Sequence, residues 1–179
     1  IVAIEPQTGE ILALVTNPNY DPSILVGRER SKGYNSLVNN PTKPLMNRAT
    51  QATYSPGSTF KPIQALVALQ LGGITEHTRF GCSGQSSTPI RCTHAHGSPV
   101  SLLNAIEQSC NPYFWHAFRS TVEKNGYGEK NLNFKDSYQE WVEAMHSFGL
   151  GHPFEDSDVF MQHRGNIPTQ SYYNRYLGE

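Results

Sequence analysis

Ser58 and Lys61 stand three residues apart, behind Pro56-Gly57 and ahead of an apolar run that closes at Gly72-Gly73. If that run is a helix, positions i and i+3 share a face, with Cβ atoms roughly 5–6 Å apart. A lysine amine beside a serine hydroxyl takes its proton once burial or neighbours lower the amine's affinity for protons. The start of a helix also supplies free backbone N–H groups, suited to a developing oxyanion. Read by itself, so short a pattern is an ordinary capping serine and a solvated lysine, so the context must decide.

A second set of reactive side chains lies in residues 82–110: Cys82, Cys92, His94, His96 and Cys110. Three thiolates and one imidazole make a closed tetrahedral zinc site of structural type. A Cys82–Cys92 disulfide with Cys110 buried, or three unrelated thiols, are the competing readings, since three cysteines leave one over. The other histidines, His77, His116, His146, His152 and His163, carry no partner pattern. Glu155, Asp156 and Asp158 lack the spacing of a calcium loop and read as solvated.

The elements that must position these groups follow from pattern. Ile1–Ile4 and Glu10–Val15 are β-rich runs around a Pro and a Gly, which predicts a hairpin. Residues 27–53 are polar and punctuated by Gly33, Asn39-Asn40-Pro41 and Pro44, which predicts an extended surface segment with at most a short turn. Residues 58–71 read as the least polar helix, with Gly72-Gly73 as its C-cap. Residues 74–100 read as loop. A short helix follows, capped by Ser101, then an interruption at Ser109-Cys110-Asn111, with Asn111 as N-cap and Pro112 starting the next helix. Phe114 and Trp115 are expected in the core. Apolar residues at 138, 141, 142, 145 and 148 predict an amphipathic helix ending at Gly149. The last thirty residues read as loop, with Tyr172, Tyr173 and Tyr176 as an uncovered aromatic patch.

Composition sets limits. The chain has 179 residues, 16% charged and 37% apolar, with net charge −1. That is enough apolar matter for a core, and so small a net charge argues against a nucleic-acid partner, which requires a basic face. No apolar run exceeds five residues, against about twenty for a membrane span. The chain opens directly in strand language without an initiator Met, which reads as a segment excised from a longer protein with any anchor upstream.

Tyr54-Ser55-Pro56-Gly57-Ser58-Thr59-Phe60-Lys61-Pro62 resembles, over its whole length, the active-site segment of penicillin-binding proteins, where S-x-x-K is followed by an S-D-N-type motif and K-T-G. Ser109-Cys110-Asn111 stands where the second motif belongs. Residues 8–15, 17–22, 47–50, 148–151 and 164–168 are similar to further segments of the class B transpeptidases, elongation type. No K-[ST]-G occurs in residues 1–179.

The resemblance implies a penicillin-binding, serine β-lactamase-like fold of mixed α/β (α+β) type, an antiparallel sheet flanked by helices. Residues 1–179 would be its N-terminal and helical part, truncated before the K-T-G strand. It implies a D,D-transpeptidase needing no catalytic cofactor, acting on peptidoglycan stem peptides and blocked by β-lactams. Ser58 would be the nucleophile, Lys61 the general base, Ser109 a proton relay toward the leaving amine, and Asn111 the residue that binds the substrate amide and holds Lys61. It places the parent at the periplasmic face of the inner membrane, membrane-anchored, beside a rod-shape glycosyltransferase. Some elongation-type relatives carry a metal in this region, and His96-Gly97 looks like the family's position. That favours Cys82, Cys92, His96 and Cys110 as zinc ligands, with His94 as the alternate imidazole. A division-type transpeptidase, a serine β-lactamase and a non-catalytic penicillin sensor or scaffold are the alternative readings.

Overall fold

The computed structural model describes residues 1–83, 88–125, 132–152, 159 and 161–175. Glu155, Asp156, Asp158 and Tyr176 lie outside them. The chain divides into two compact units, one of residues 1–54 with 153–164, the other of residues 55–152 with 165–179.

In the first unit, β1 (Val2–Ile4) pairs antiparallel with β2 (Ile11–Leu14), as the hairpin pattern predicts, with Ala3 opposite Ala13. The turn between them closes through Gly9 N–H to Glu5 O at 2.8 Å, with Gly9 at φ +77. Residues 27–53 are not an extended segment. They contain α1 (Arg30–Val38) and the single turn α2 (Arg48–Gln51). The apolar stripe by which a helix is recognised is absent, because Leu37 is the one buried residue of α1. Tertiary contact forms this helix. A Cβ at Gly33 would stand 3.0 Å from the Ile24 carbonyl carbon, so α1 lies in backbone contact with the 3₁₀ turn Pro22–Leu25.

The second unit is helical. A 3₁₀ turn over Gly57–Phe60 leads into α3 (Lys61–Gln70). The helix proper thus begins at Lys61, and Ser58 sits in the turn before it. Pro62 occupies the first turn, where the missing N–H has no helical partner to lose. At the other end Gly72 takes φ +72, and the N–H groups of Gly72 and Gly73 return to Leu69 O and Ala68 O. This is the glycine-terminated cap that the sequence predicts. Within residues 74–100, read as loop, β3 (Arg79–Phe80) pairs with β4 (Val100–Ser101) across the cysteine-rich segment.

Ser101 caps α4 (Leu102–Glu107) as expected, its Oγ accepting from Asn104 N–H. Asn111 is not the N-cap of α5 (Asn111–Val122). Cys110 holds that place, its Sγ accepting from Tyr113 N–H at 3.5 Å. The sulfur substitutes for the usual oxygen, and the asparagine amide is free to reach elsewhere. The amphipathic helix is α6 (Leu132–Ser147), followed by Gly149 at φ +77. A last turn, α7 (Gln170–Tyr173), holds Tyr172 and Tyr173, which are 37% and 41% exposed.

Two apolar clusters flank α3. Ala65 and Ala68 meet Leu102, Ala105, Tyr113, Phe114 and Ala117 of α4 and α5. Val67 meets Val122, Trp141, Val142 and Met145 of α5 and α6. The small residues on one side of α3 let its backbone approach α5 closely. Phe114 is core, whereas Trp115 is half-buried and lies under Arg119, 4.8 Å from the guanidinium carbon to the ring centre.

Candidate active site and metal centre

Every group of the candidate catalytic set belongs to the helical unit. Lys61, at the first turn of α3, extends toward the loop between α4 and α5. Its Nζ donates to Ser109 O at 2.6 Å, to Ser109 Oγ at 2.8 Å and to Asn111 Oδ1 at 2.6 Å. Ser109 Oγ in turn donates to Ser58 Oγ at 2.9 Å. The four residues that the sequence singles out are therefore one hydrogen-bonded group, and Ser109 stands between Lys61 and Ser58. Lys61 also lies over the Phe114 ring at 5.7 Å from its centre. Burial holds the Lys61 amine below its ordinary value of 10.5, opposed by the nearby sulfurs of Cys110 and Cys92.

The backbone explains the convergence. Ser109 adopts φ +51, a left-handed conformation that disfavours a side chain and costs on the order of 1–3 kcal/mol. In it, both the hydroxyl and the carbonyl of Ser109 face Lys61. Anchors on each side hold it there. Cys110 N–H bonds Ala105 O at 2.9 Å, and the fully buried Cys110 side chain caps α5. Asn111 is anchored from its other end, its Nδ2 donating to Arg91 O at 2.7 Å. That bond fixes which end of the amide faces Lys61. Arg91 was not legible as a site residue, because a backbone carbonyl leaves no mark in the sequence. Phe114 had a faint signal, three residues beyond Asn111 on the same helix.

The cysteine cluster forms beside this group. The metal-ligating atoms of Cys82, Cys92, His96 and Cys110 lie within 4.8 Å of one another. Cys92 Sγ is 3.7 Å from Cys82 Sγ, 3.7 Å from Cys110 Sγ and 3.2 Å from His96 Nε2, and Cys82 Sγ is 3.6 Å from His96 Nε2. Metal–sulfur bonds of about 2.3 Å and a metal–nitrogen bond of about 2.0 Å at tetrahedral angles give edges of about 3.7 and 3.5 Å. The donor set and its spacing fit a four-coordinate metal ion. His96 Nδ1 stands 3.0 Å from Gly97 O, the bond that leaves Nε2 free as a ligand. His94 is exposed and has no part in the group. The three cysteines are free thiols, and burial with neighbouring sulfurs pushes Cys110 up to about 12.

The remaining histidines stand apart from this site. His116 stacks on Phe80, His146 meets His152 edge-on, and His163 N–H bonds Thr50 O.

Residues 1–177 match the family of the penicillin binding protein transpeptidase domain. The chain is 33% identical over 180 residues to the peptidoglycan D,D-transpeptidase MrdA of Escherichia coli K12, covering 96% of this chain and 26% of that protein. It is 41% identical over 157 residues to MrdA of Acinetobacter baumannii, covering 84% of this chain and 21% of that one. Among solved structures, penicillin-binding protein 2 of Pseudomonas aeruginosa in complex with WCK 5153 superposes with a TM-score of 0.73 at 29% identity, over 99% of this chain and 38% of that one. The imipenem acyl-enzyme of penicillin-binding protein A from M. tuberculosis gives 0.60 at 31% identity, over 87% and 35%. The chain thus spans about a quarter of the length of these two MrdA proteins.

Proposed function

The chain belongs to the penicillin-binding protein transpeptidase family and shares its fold, and on that premise we propose that it carries the nucleophile and base of a peptidoglycan D,D-transpeptidase. Ser58 attacks the carbonyl between the two terminal D-alanines of a stem peptide and is acylated, with loss of the last D-alanine. An amine of a neighbouring stem peptide then takes the acyl group and completes the cross-link. β-Lactams enter the same step and leave Ser58 acylated. The relatives bearing the name D,D-transpeptidase and the acyl-enzyme structures of penicillin-binding protein A support this reading.

The observation that carries it is the connected path from Ser58 Oγ through Ser109 Oγ to Lys61 Nζ. As an ammonium, Lys61 places its three N–H bonds on Ser109 O, Ser109 Oγ and Asn111 Oδ1. As a neutral amine it keeps two N–H bonds and gains a lone pair. The Ser109 carbonyl and Asn111 Oδ1 accept only, so they retain the N–H bonds. The lone pair then faces the Ser109 hydroxyl, which donates to Nζ and accepts from Ser58. Deprotonation of Ser58 runs through Ser109 to Lys61. The same path reversed brings the proton to the leaving amine. Asn111 holds Lys61 in place and offers its amide to the substrate.

We assign Cys82, Cys92, His96 and Cys110 as ligands of a structural zinc ion, on their donor types and spacing. Bound there, zinc would cross-link the segment around Cys92 to the loop that carries Ser109 and Asn111; it takes no part in the reaction. Residues 1–179 are read as the N-terminal and helical part of the transpeptidase domain. Exposed apolar side chains on the β1–β2 pair, such as Val2, Ile4 and Leu12, suit further strands. The resemblance to elongation-type enzymes extends the proposal to a role in cell shape at the periplasmic face of the inner membrane, beside a rod-shape glycosyltransferase. Recovery of that glycosyltransferase with the tagged protein tests the partnership.

The central test is a labelled penicillin on the protein in its natural length. Covalent label at Ser58 is expected, and its loss in Ser58→Ala with unchanged circular dichroism. A full-length protein that takes no label sinks the catalytic reading in favour of a sensor or scaffold.

A further inference from the structure

We propose that Cys92 is a hydroperoxide-reactive thiol that forms a disulfide with Cys82, and that this bond excludes the metal and slackens the hydrogen bond aiming Asn111. The last clause rests on the catalytic reading above; the disulfide does not.

Cys92 Sγ stands 3.7 Å from both other sulfurs. It is also the most accessible of the three, half-buried where Cys82 is 7% exposed and Cys110 fully buried. An oxidant arriving from solvent meets Cys92 first. Its partner is Cys82 for a mechanical reason. Cys110 is pinned at both backbone and sulfur, by Ala105 O and by Tyr113 N–H at the start of α5. Cys82 lies outside any helix or strand, its N–H held by the Ser98 hydroxyl. A disulfide needs the sulfurs at about 2.05 Å, so the pair must close by roughly 1.6 Å, and Cys82 and Cys92 are the two placed to move.

Cys92 Sγ attacks the O–O bond of the hydroperoxide, an alcohol (or water, from hydrogen peroxide) leaves, and Cys92 becomes a sulfenic acid. Cys82 Sγ then attacks that sulfur; the S–S bond forms, the S–O bond breaks, and the hydroxyl leaves as water with the second thiol proton. Two thiols lose two electrons and one hydroperoxide gains them. The remaining donors, His96 and Cys110, are too few for a four-coordinate site, so disulfide and bound metal exclude each other. Arg91 directly precedes Cys92, and its carbonyl holds Asn111 Nδ2 at 2.7 Å. Drawing Cys92 toward Cys82 carries that carbonyl away and frees the amide to turn from Lys61.

The test treats reduced, metal-stripped protein with hydrogen peroxide, alkylates it after denaturation and maps the peptides. Two of its three thiols should be lost to a Cys82–Cys92 link, with Cys110 alkylated. Zinc added beforehand should keep all three reduced. The oxidised protein should take labelled penicillin more slowly, with the rate restored by dithiothreitol. Metal-stripped Cys82→Ser should label at one rate before and after peroxide. Three intact thiols without zinc, a link through Cys110, oxidation undiminished by zinc, or a labelling rate indifferent to oxidation would each overturn the proposal. Reduced full-length protein that takes no label defeats the transpeptidase reading instead, while the peptide map still decides the disulfide.

Discussion

Lys61 is a cation held among acceptors, and its chemistry depends on giving up a proton. Three partners at 2.6–2.8 Å favour the charged form, while burial works against it and holds the amine below 10.5. Acylation in this scheme needs the neutral amine. Its rate should therefore rise with pH through a midpoint below 10.5, measured as the second-order rate of labelling by a β-lactam across a pH series. Lys61→Arg should abolish labelling at every pH, because a guanidinium does not deprotonate in this range. Ser109 is the other discriminating position. As the one hydroxyl between base and nucleophile, its replacement in Ser109→Ala should slow acylation by about 10²–10⁴-fold, the usual range for a positioned proton-transfer group. A labelling rate within a few-fold of the unaltered protein would mean that Lys61 reaches Ser58 directly. Sequence supplied the identities of these residues. It could not supply the order Ser58–Ser109–Lys61, because that order depends on a positive φ at Ser109, a backbone choice no motif encodes.

The catalytic geometry rests on how α3 sits against its neighbours, and that seat is tight. Gly73, just past the α3 cap, lies against α5: a Cβ there would stand 2.6 Å from Thr121 Cα. Thr121 is fully buried, its Oγ1 bonded to Ala117 O, so it has little room to yield. Gly73→Ala should destabilise the protein by about 1–3 kcal/mol through overpacking, read as a lower midpoint in urea unfolding. Within α3, the buried Gln64 accepts from Trp141 Nε1 at 2.9 Å. Trp141→Phe keeps an aromatic ring but leaves a buried carbonyl unpaired, and should cost about 1–3 kcal/mol by the same measurement. Gln64 shows where pattern reading falls short. Its place on α3 follows from the sequence, yet its burial does not, because a glutamine reads as polar until a tryptophan seventy-seven residues away supplies its partner. The helix α1 fails in the same direction, hidden by a polar composition that only contact with the preceding turn makes helical.

Across the molecule, the thiol–imidazole cluster ties distant stretches of chain together: Cys82 follows β3, Cys92 and His96 lie in the segment toward β4, and Cys110 starts α5. If zinc holds them, binding adds directly to the stability of the helical unit. A single zinc ion per chain is expected by elemental analysis, and its removal by a chelator should lower the melting temperature; a melting curve indifferent to chelation would count against the site. No helix among the described residues is long and apolar enough to cross a membrane. What the sequence determined by itself was local: the hairpin from its alternation and turn, α3, α4 and α6 from periodicity and caps, the two motifs from their order, and the four residue types fit for a metal. Which of these features meet depends on the packed fold. Packing of α3 against α4 and α5 carries Lys61 to Ser109 across forty-eight residues of chain, the cap of α5 falls to Cys110 and so frees Asn111, and the Arg91 carbonyl comes to the Asn111 amide. The physical reason is one of range. Propensities and caps act over a few residues, whereas hydrogen-bond geometry and left-handed backbone are fixed only when a packed core holds remote segments in register.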